Sequence, residues 1–239
     1  MKKLCFFIGA SFLSMVLHAN NSGDYFSGFY LGGGLGLINF DTDQSMVFDP
    51  SKVATAYRYN LSASESDNHF LGTVYLGYGY QFNSPLYIAA EAIAEFAKPS
   101  FEWSNSNIYW RVKQNNAYGG RLKLGVVHNN WLVYGLGGWE MVRIKRNVSF
   151  ISGGIYNSGT MLLQNVSSSD SQTIGQLGAG LDIAMNDHWA VQFQYAHNFY
   201  DDSNDGINHM LITFNNPKGN YHSDLNSNEG TIGLRYRFG

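Results

Sequence analysis

Charge is scarce in this chain. Asp, Glu, Lys and Arg make up 14% of its 239 residues, against about a quarter in soluble domains. The formal net charge of −3 gives no reason to expect nucleic acid as a partner. Cysteine is nearly absent. The one present, Cys5, sits in an N-terminal segment that reads as removable, which would leave no disulfide, thiolate nucleophile or cysteine metal site. Past that segment no apolar run approaches the ~20 residues that a membrane helix needs. Proline is rare, at 4 residues, whereas glycine is abundant at 27 and aromatics reach 15%. That profile suits short, glycine-rich strands with aromatic girdles, in a chain long enough for one β-domain or barrel.

The N-terminus has the three parts of an export signal. Lys2 and Lys3 are its positive start, Leu4 to Leu17 its apolar stretch, and Leu17-His18-Ala19 its permissive end. Residues 1–19 are therefore expected to be a cleaved signal peptide, and 20–239 the barrel domain. No cysteine lies at the cleavage point, so a lipid anchor is not expected there.

The closing stretch Asn228 to Gly239 sets the pattern. Gly230, Ile232, Leu234, Tyr236 and Phe238 share one face, and Glu229, Thr231, Gly233, Arg235 and Arg237 the other. This is a strand with one apolar and one charged side, which fits lipid outside and a polar lumen inside. Seven further strands follow the same alternation: 28–40, 69–82, 86–97, 117–128, 131–145, 172–185 and 188–200. Tight turns are expected at Asn83-Ser84-Pro85, Asn129-Asn130 and Asn186-Asp187, and long loops over 41–68, 98–116, 146–171 and 201–227. The second loop is expected to hold a hairpin turning at Ser104 to Asn107, and the third one turning at Asn157-Ser158-Gly159. The Ala-rich segment 86–97 also fits a helix. In the fifth strand Glu140 and Arg143 cannot face one way without a bulge, so its parity stays open. The expected fold is an all-β, eight-stranded antiparallel up-and-down transmembrane barrel. It has short periplasmic turns and long extracellular loops, and its first and last strands pair because lipid tolerates no open edge. Phe29, Phe82, Trp131, Trp189 and Phe238 then fall at the turn side, where an aromatic belt belongs.

Inward positions collect Glu91, Glu95, Asp182 and Glu229 against Arg121, Lys123, Arg235 and Arg237. Glu91 and Glu95 are expected to reach Arg121 and Lys123 across neighbouring strands, with Asp182 near Arg235 and Arg237. Either the charges form a plug of salt bridges filling a narrow barrel, or they line a gate. Paired carboxylates could also hydrolyse glycosides, but nothing supplies a sugar cleft. A loop cation site is conceivable at His209 and His222 beside Asp201, Asp202, Asp205 and Asp224. Exposed apolar residues mark possible contact sites at Met210 to Phe214, and aromatics at Tyr57, Tyr59, Trp103, Tyr109 and Trp110. No metal or other cofactor is expected, and no catalytic residue is assigned.

With eight alternating strands between the ends GFYLGGGLG and GTIGLRYRF, the chain resembles the small outer-membrane β-barrel family of the OmpA transmembrane domain, OmpX and the opacity-type surface antigens. The resemblance implies a Gram-negative outer membrane, with outer-membrane lipid and lipopolysaccharide as neighbours. It also implies recognition by the barrel-assembly machinery through a terminal aromatic, matched here by Phe238 with Tyr236 two residues before it; Gly239 after Phe238 departs from the pattern. Barrel enzymes that deacylate lipid A carry a His two residues before a Ser-Asn pair. Ser203-Asn204 has Asp201 at that position, and His197 lies further upstream. The resulting expectation is a non-catalytic barrel acting as a structural or surface-interaction protein, adhesin- or antigen-like, with a host or surface ligand met through its loops. The alternatives are a narrow channel or OmpW-like conduit for small or hydrophobic molecules, and a lipid A-modifying enzyme.

Overall fold

The computed structural model describes residues 25–48, 61–104, 108–150, 166–200 and 219–238. Nine strands follow in chain order: β1 Gly28–Phe48, β2 Leu61–Gln81, β3 Leu86–Phe96, β4 Ser100–Ser104, β5 Ile108–His128, β6 Trp131–Phe150, β7 Val166–Ala184, β8 Trp189–Phe199 and β9 Gly219–Arg237. Every pairing is antiparallel. β1 holds β2 on one side and β9 on the other, and β3 closes the ring onto β5. β3 and β4 form a single stave. Both pair with β5, and the ladder breaks only across Ala97 to Pro99, where proline has no N–H to give. The barrel therefore has eight staves, and the β1–β9 and β3–β5 pairings close it around the apolar band.

The alternation expected from sequence holds along the staves. On β3 the pattern is strict: Leu86, Ile88, Ala90, Ala92, Ala94 and Phe96 face out, and Tyr87, Ala89, Glu91, Ile93 and Glu95 are buried. The helix alternative for this segment is thereby excluded. Phe29, Leu31, Leu35 and Leu37 of β1, and Leu122 and Leu124 of β5, are exposed outward. Val126 shares their parity but is only 8% exposed. β6 needs no bulge, because Glu140 is buried in the lumen while Arg143 is exposed on the outside. The irregularity lies instead in β5, between Gln114 and Ala117.

The three tight turns stand where expected. At Asn129 the chain takes φ 55, the left-handed conformation that a two-residue hairpin needs and that Asn tolerates. Asn186 closes its turn by accepting the backbone N–H of both His188 and Trp189 at 2.9 Å. The strands, however, are longer than polarity suggested. Asp41 to Phe48 and Leu61 to Asn68, expected as loop, are paired in β1 and β2. Arg146 to Phe150 and Val166 to Ser171 belong to β6 and β7, and Gly219 to Ser227 to β9. The hairpin expected within 98–116 is the β4–β5 pair. Residues 1–19, Tyr57, Tyr59, the turn at Asn157, Asp201 to Asp205, His209 and Met210 to Phe214 lie outside the described residues.

Candidate functional site in the barrel lumen

The inward faces build two layers. The lower, nearer the tight turns, joins β3, β5, β7 and β9. Glu91 on β3 lies opposite Arg121 on β5 in the strand register and is held by two cations. Arg121 Nε donates to Oε2 at 2.6 Å, and Lys123 Nζ lies 2.6 Å from Oε1. Tyr30 donates its hydroxyl to the same carboxylate at 2.8 Å. Asp182 on β7 accepts from Arg235 at 3.1 Å and from Gln192 at 3.1 Å, and Arg235 also donates to the Phe26 carbonyl at 2.8 Å. These charges are almost wholly shielded from solvent. A charge in such a place is tolerable only when paired and hydrogen-bonded.

Four buried tyrosines, Tyr30, Tyr75, Tyr87 and Tyr134, complete this layer. The Arg235 guanidinium lies 3.6 Å from the Tyr30 ring centroid, and Lys123 lies 4.5 Å from that of Tyr134 and 5.4 Å from that of Tyr75. The cations are thus held by ring faces as well as by carboxylates. Glycines make room for the rings. A Cβ at Gly32 would land on the Tyr75 ring, at Gly77 on Tyr30, at Gly79 on Tyr87 and at Gly180 on Tyr134. Gly32, Gly77 and Gly180 are the direct cross-strand partners of those tyrosines. The parity signal was available for Tyr30 and Tyr87, since each stands between outward-facing residues.

The upper layer is acidic and amide-rich. Glu95, Glu140 and Glu229 converge with Gln176, whose amide donates to Glu140 at 3.1 Å, Glu229 at 2.8 Å and Asn198 at 3.1 Å. Glu95 stands beside both Glu140 and Glu229, so three acidic groups share this level. Above them Tyr200 donates to Gln114 at 3.0 Å, and Asn198 to Ser227 at 3.1 Å. The expected charge network is therefore divided. Glu91, Arg121 and Lys123 meet, and Asp182 meets Arg235, but Glu95 stands one layer up, and Glu229 lies with it. Arg237 is at the barrel mouth, where it donates to the carbonyls of Asp187 at 2.8 Å and Ser27 at 3.2 Å.

Phe29, Phe82, Trp131, Trp189, Tyr236 and Phe238 gather at the turn end. Tyr236 packs against Trp189 at 4.9 Å and Phe238 at 5.3 Å between ring centroids. His197 faces outward and shares Asn228 Oδ1 with Tyr195, at 2.8 and 2.7 Å; its partner is an amide rather than a hydroxyl nucleophile. Among the described residues no group of three or more His, Cys, Asp or Glu is placed to hold a metal ion.

Residues 7–238 match the family described as outer membrane protein beta-barrel domain. Among solved structures, the attachment invasion locus protein Ail of Yersinia pestis is 17% identical, covering 89% of this chain and 100% of its own, with a TM-score of 0.44. The Neisserial surface protein A is 14% identical over 89% and 98%, with a TM-score of 0.40. OprG from Pseudomonas aeruginosa is 13% identical over 91% and 99%, with a TM-score of 0.43. The outer membrane protease OmpT from Escherichia coli is 10% identical over 92% and 99%, with a TM-score of 0.42. No curated protein matches the sequence. Residues 7–238 span almost the whole chain, which belongs to the outer-membrane β-barrel family and so to the outer membrane of a Gram-negative bacterium.

Proposed function

We propose that this protein is a non-catalytic barrel that serves as a structural and surface-interaction element, adhesin- or antigen-like, with its lumen closed. The observation that carries the reading is the lower layer, where Glu91 sits between Arg121 and Lys123, Asp182 is tied to Arg235, and tyrosine rings fill the gaps. Eight staves leave an interior just wide enough for side chains, and here large ones occupy it. The strands supply the second support. β1 runs from the end of the apolar band near Leu37 to Phe48, roughly 36 Å of further strand at about 3.3 Å per residue. Such strands stand well clear of lipid, where a host or surface ligand would meet them. Residues 1–19 act in this reading as the cleaved export signal, and Tyr236 and Phe238 as the mark read by the assembly machinery.

Liposome swelling with small sugars and amino acids tests it. Purified barrel is expected to leave the vesicles as impermeable as protein-free ones. Swelling that falls with solute size would replace the reading with the narrow-channel alternative. Release of fatty acid from lipopolysaccharide, lost in His197→Ala, would replace it with the enzyme alternative.

A further inference from the structure

The turn-side mouth of the barrel is lined by apolar side chains. Tyr87 on β3, Val127 on β5, Leu132 on β6, Ala184 on β7 and Ala190 on β8 each stand within two residues of the strand end at that side. Side chains so placed would meet water if the mouth were open, yet none of the five is more than 6% exposed. They share one buried cluster with Phe26, which is 1% exposed, and Tyr25, half-buried, packs against the same cluster. Both residues precede β1, so the cover of the mouth comes from the chain just ahead of the first strand.

The seat of Phe26 is specific. Gly28 takes φ 110, a conformation that side chains with a Cβ rarely adopt, and there the chain leaves the barrel wall. Ser27 accepts twice: its hydroxyl takes the backbone N–H of Gln81 at 3.0 Å, and its carbonyl takes Arg237 Nη1 at 3.2 Å. Phe26 meets the Tyr87 ring edge-on, with centroids 6.3 Å apart, and the Arg235 guanidinium lies 5.6 Å from the Phe26 ring. Arg235 also donates to the Phe26 carbonyl at 2.8 Å. The same guanidinium holds Asp182, so the seat is joined to the charge layer above it.

We propose that Tyr25 to Gly28 is a stopper. Phe26 seals the mouth from the periplasm, Arg235 and Arg237 latch the segment by two of its carbonyls, and Gly28 is the hinge. Burial of the phenyl ring and of the apolar side chains around it favours the seated state. Tyr25 to Ser27 nevertheless lie ahead of the first ladder pair, Gly28 with Gly79, so the segment can leave its seat while every strand pairing stays, a local opening far cheaper than unfolding. Withdrawal bares the mouth as far as the Asp182–Arg235 pair and no further, because Glu91 and its two cations close the lumen above. That limit rests on the closed-lumen reading; the seal at the mouth does not.

The test is thiol reactivity toward a charged maleimide, in the full barrel in detergent micelles on a Cys5→Ser background. Ala190→Cys puts a thiol opposite Arg235 in the ladder, beneath the stopper, and Ser84→Cys puts one in an exposed turn. With the N-terminal segment unaltered, the first is expected to react far more slowly than the second. Phe26→Ser is expected to speed labelling at Ala190→Cys by roughly tenfold or more, and Phe26→Leu, which still fills the seat, to keep it slow. Gly28→Ala has room for its methyl, 3.6 Å from the nearest atom, so it acts on the hinge conformation alone and is expected to fall between. Equal rates at Ala190→Cys and Ser84→Cys would overturn the proposal before any stopper variant has to fold. So would an unchanged rate in Phe26→Ser and Gly28→Ala barrels that migrate as folded on a gel. Liposome swelling by the unaltered barrel, with the labelling contrast intact, would strike the closed-lumen reading and leave the stopper in place.

Discussion

The two layers of the lumen solve the same problem, polar side chains in a narrow tube, in opposite ways. Below, two carboxylates face three cations, and Tyr30, Tyr75, Tyr87 and Tyr134 pack the remaining space. Above, Glu95, Glu140 and Glu229 face amides and hydroxyls, and the charge of Arg121 is what reaches all three. The lower layer is bound by strong, complementary pairs, so loss of one member leaves an orphan charge. The upper layer gathers carboxyl groups of one sign around the amide donors of Gln176 and Asn198, so loss of one charge relieves crowding. In the proposed reading, closure belongs to the lower layer.

The largest effect is expected at Glu91. Glu91→Gln strands two cations at once, and breaking a buried pair costs roughly 3–5 kcal/mol, less where water enters the lumen. The urea midpoint of barrel folded into vesicles should fall further for Glu91→Gln than for Lys123→Met, which leaves the Arg121 pair intact. A larger loss in Lys123→Met would put the anchor of the layer elsewhere. Next are the glycines beneath the tyrosines. Gly180→Ala forces the Tyr134 ring off its place, and overpacking of this kind costs about 1–3 kcal/mol. Gly230→Ala, where nothing lies within 4 Å of the added atom, should leave the midpoint nearly unchanged. Equal losses at the two glycines would show that the rings do not fill the lumen.

Smaller is the response of the upper layer. Glu229→Gln keeps an acceptor for the Gln176 amide and removes one of three neighbouring carboxylates, so its cost should stay below about 1 kcal/mol. A loss as large as that of Glu91→Gln would erase the contrast between layers. The smallest effect lies outside the membrane, at the β4–β5 hairpin. Hydrogen bonding from Arg111 holds the Glu102 carboxyl below its ordinary range. A carboxylate depressed in the folded state stabilises above its unfolded pKa, about 4.3, and loses that contribution as pH falls through the lower folded value. Amide exchange protection at Ser104 and Tyr109 should therefore weaken as the medium is taken below about pH 4, and Glu102→Gln should remove that dependence. Protection that rises on acidification would contradict the pairing.

Much of this was legible in the sequence, because strand faces obey a period of two and lipid outside enforces it. The inward set Glu91, Arg121, Lys123, Asp182 and Arg235 follows from parity alone. Height does not. Glu95 has the same parity as Glu91, and only the register against β5, which sets Glu91 opposite Arg121 and Glu95 opposite Ala117, shows that it stands a layer above Lys123. Strand length was hidden for a related reason. Over Asp41 to Phe48 the sequence lacks the alternation of apolar and polar residues that marks a strand, although the ladder continues, with Asp41 to Met46 opposite Ser66 to Leu61. Glu140 and Arg143 looked incompatible because both charges were assigned to the lumen. Arg143 is past the apolar band, where a charge can face outward freely.

The double-mutant cycle on Glu91 and Arg121 tests the closed lumen most directly, read as urea midpoints for Glu91→Gln, Arg121→Met and the pair together. The double variant is expected to lose less than the sum of the single losses, because each change removes the orphan left by the other, with Lys123 still costing something. Additive losses would mean that these two residues do not face one another, and that the layer described here does not close the barrel.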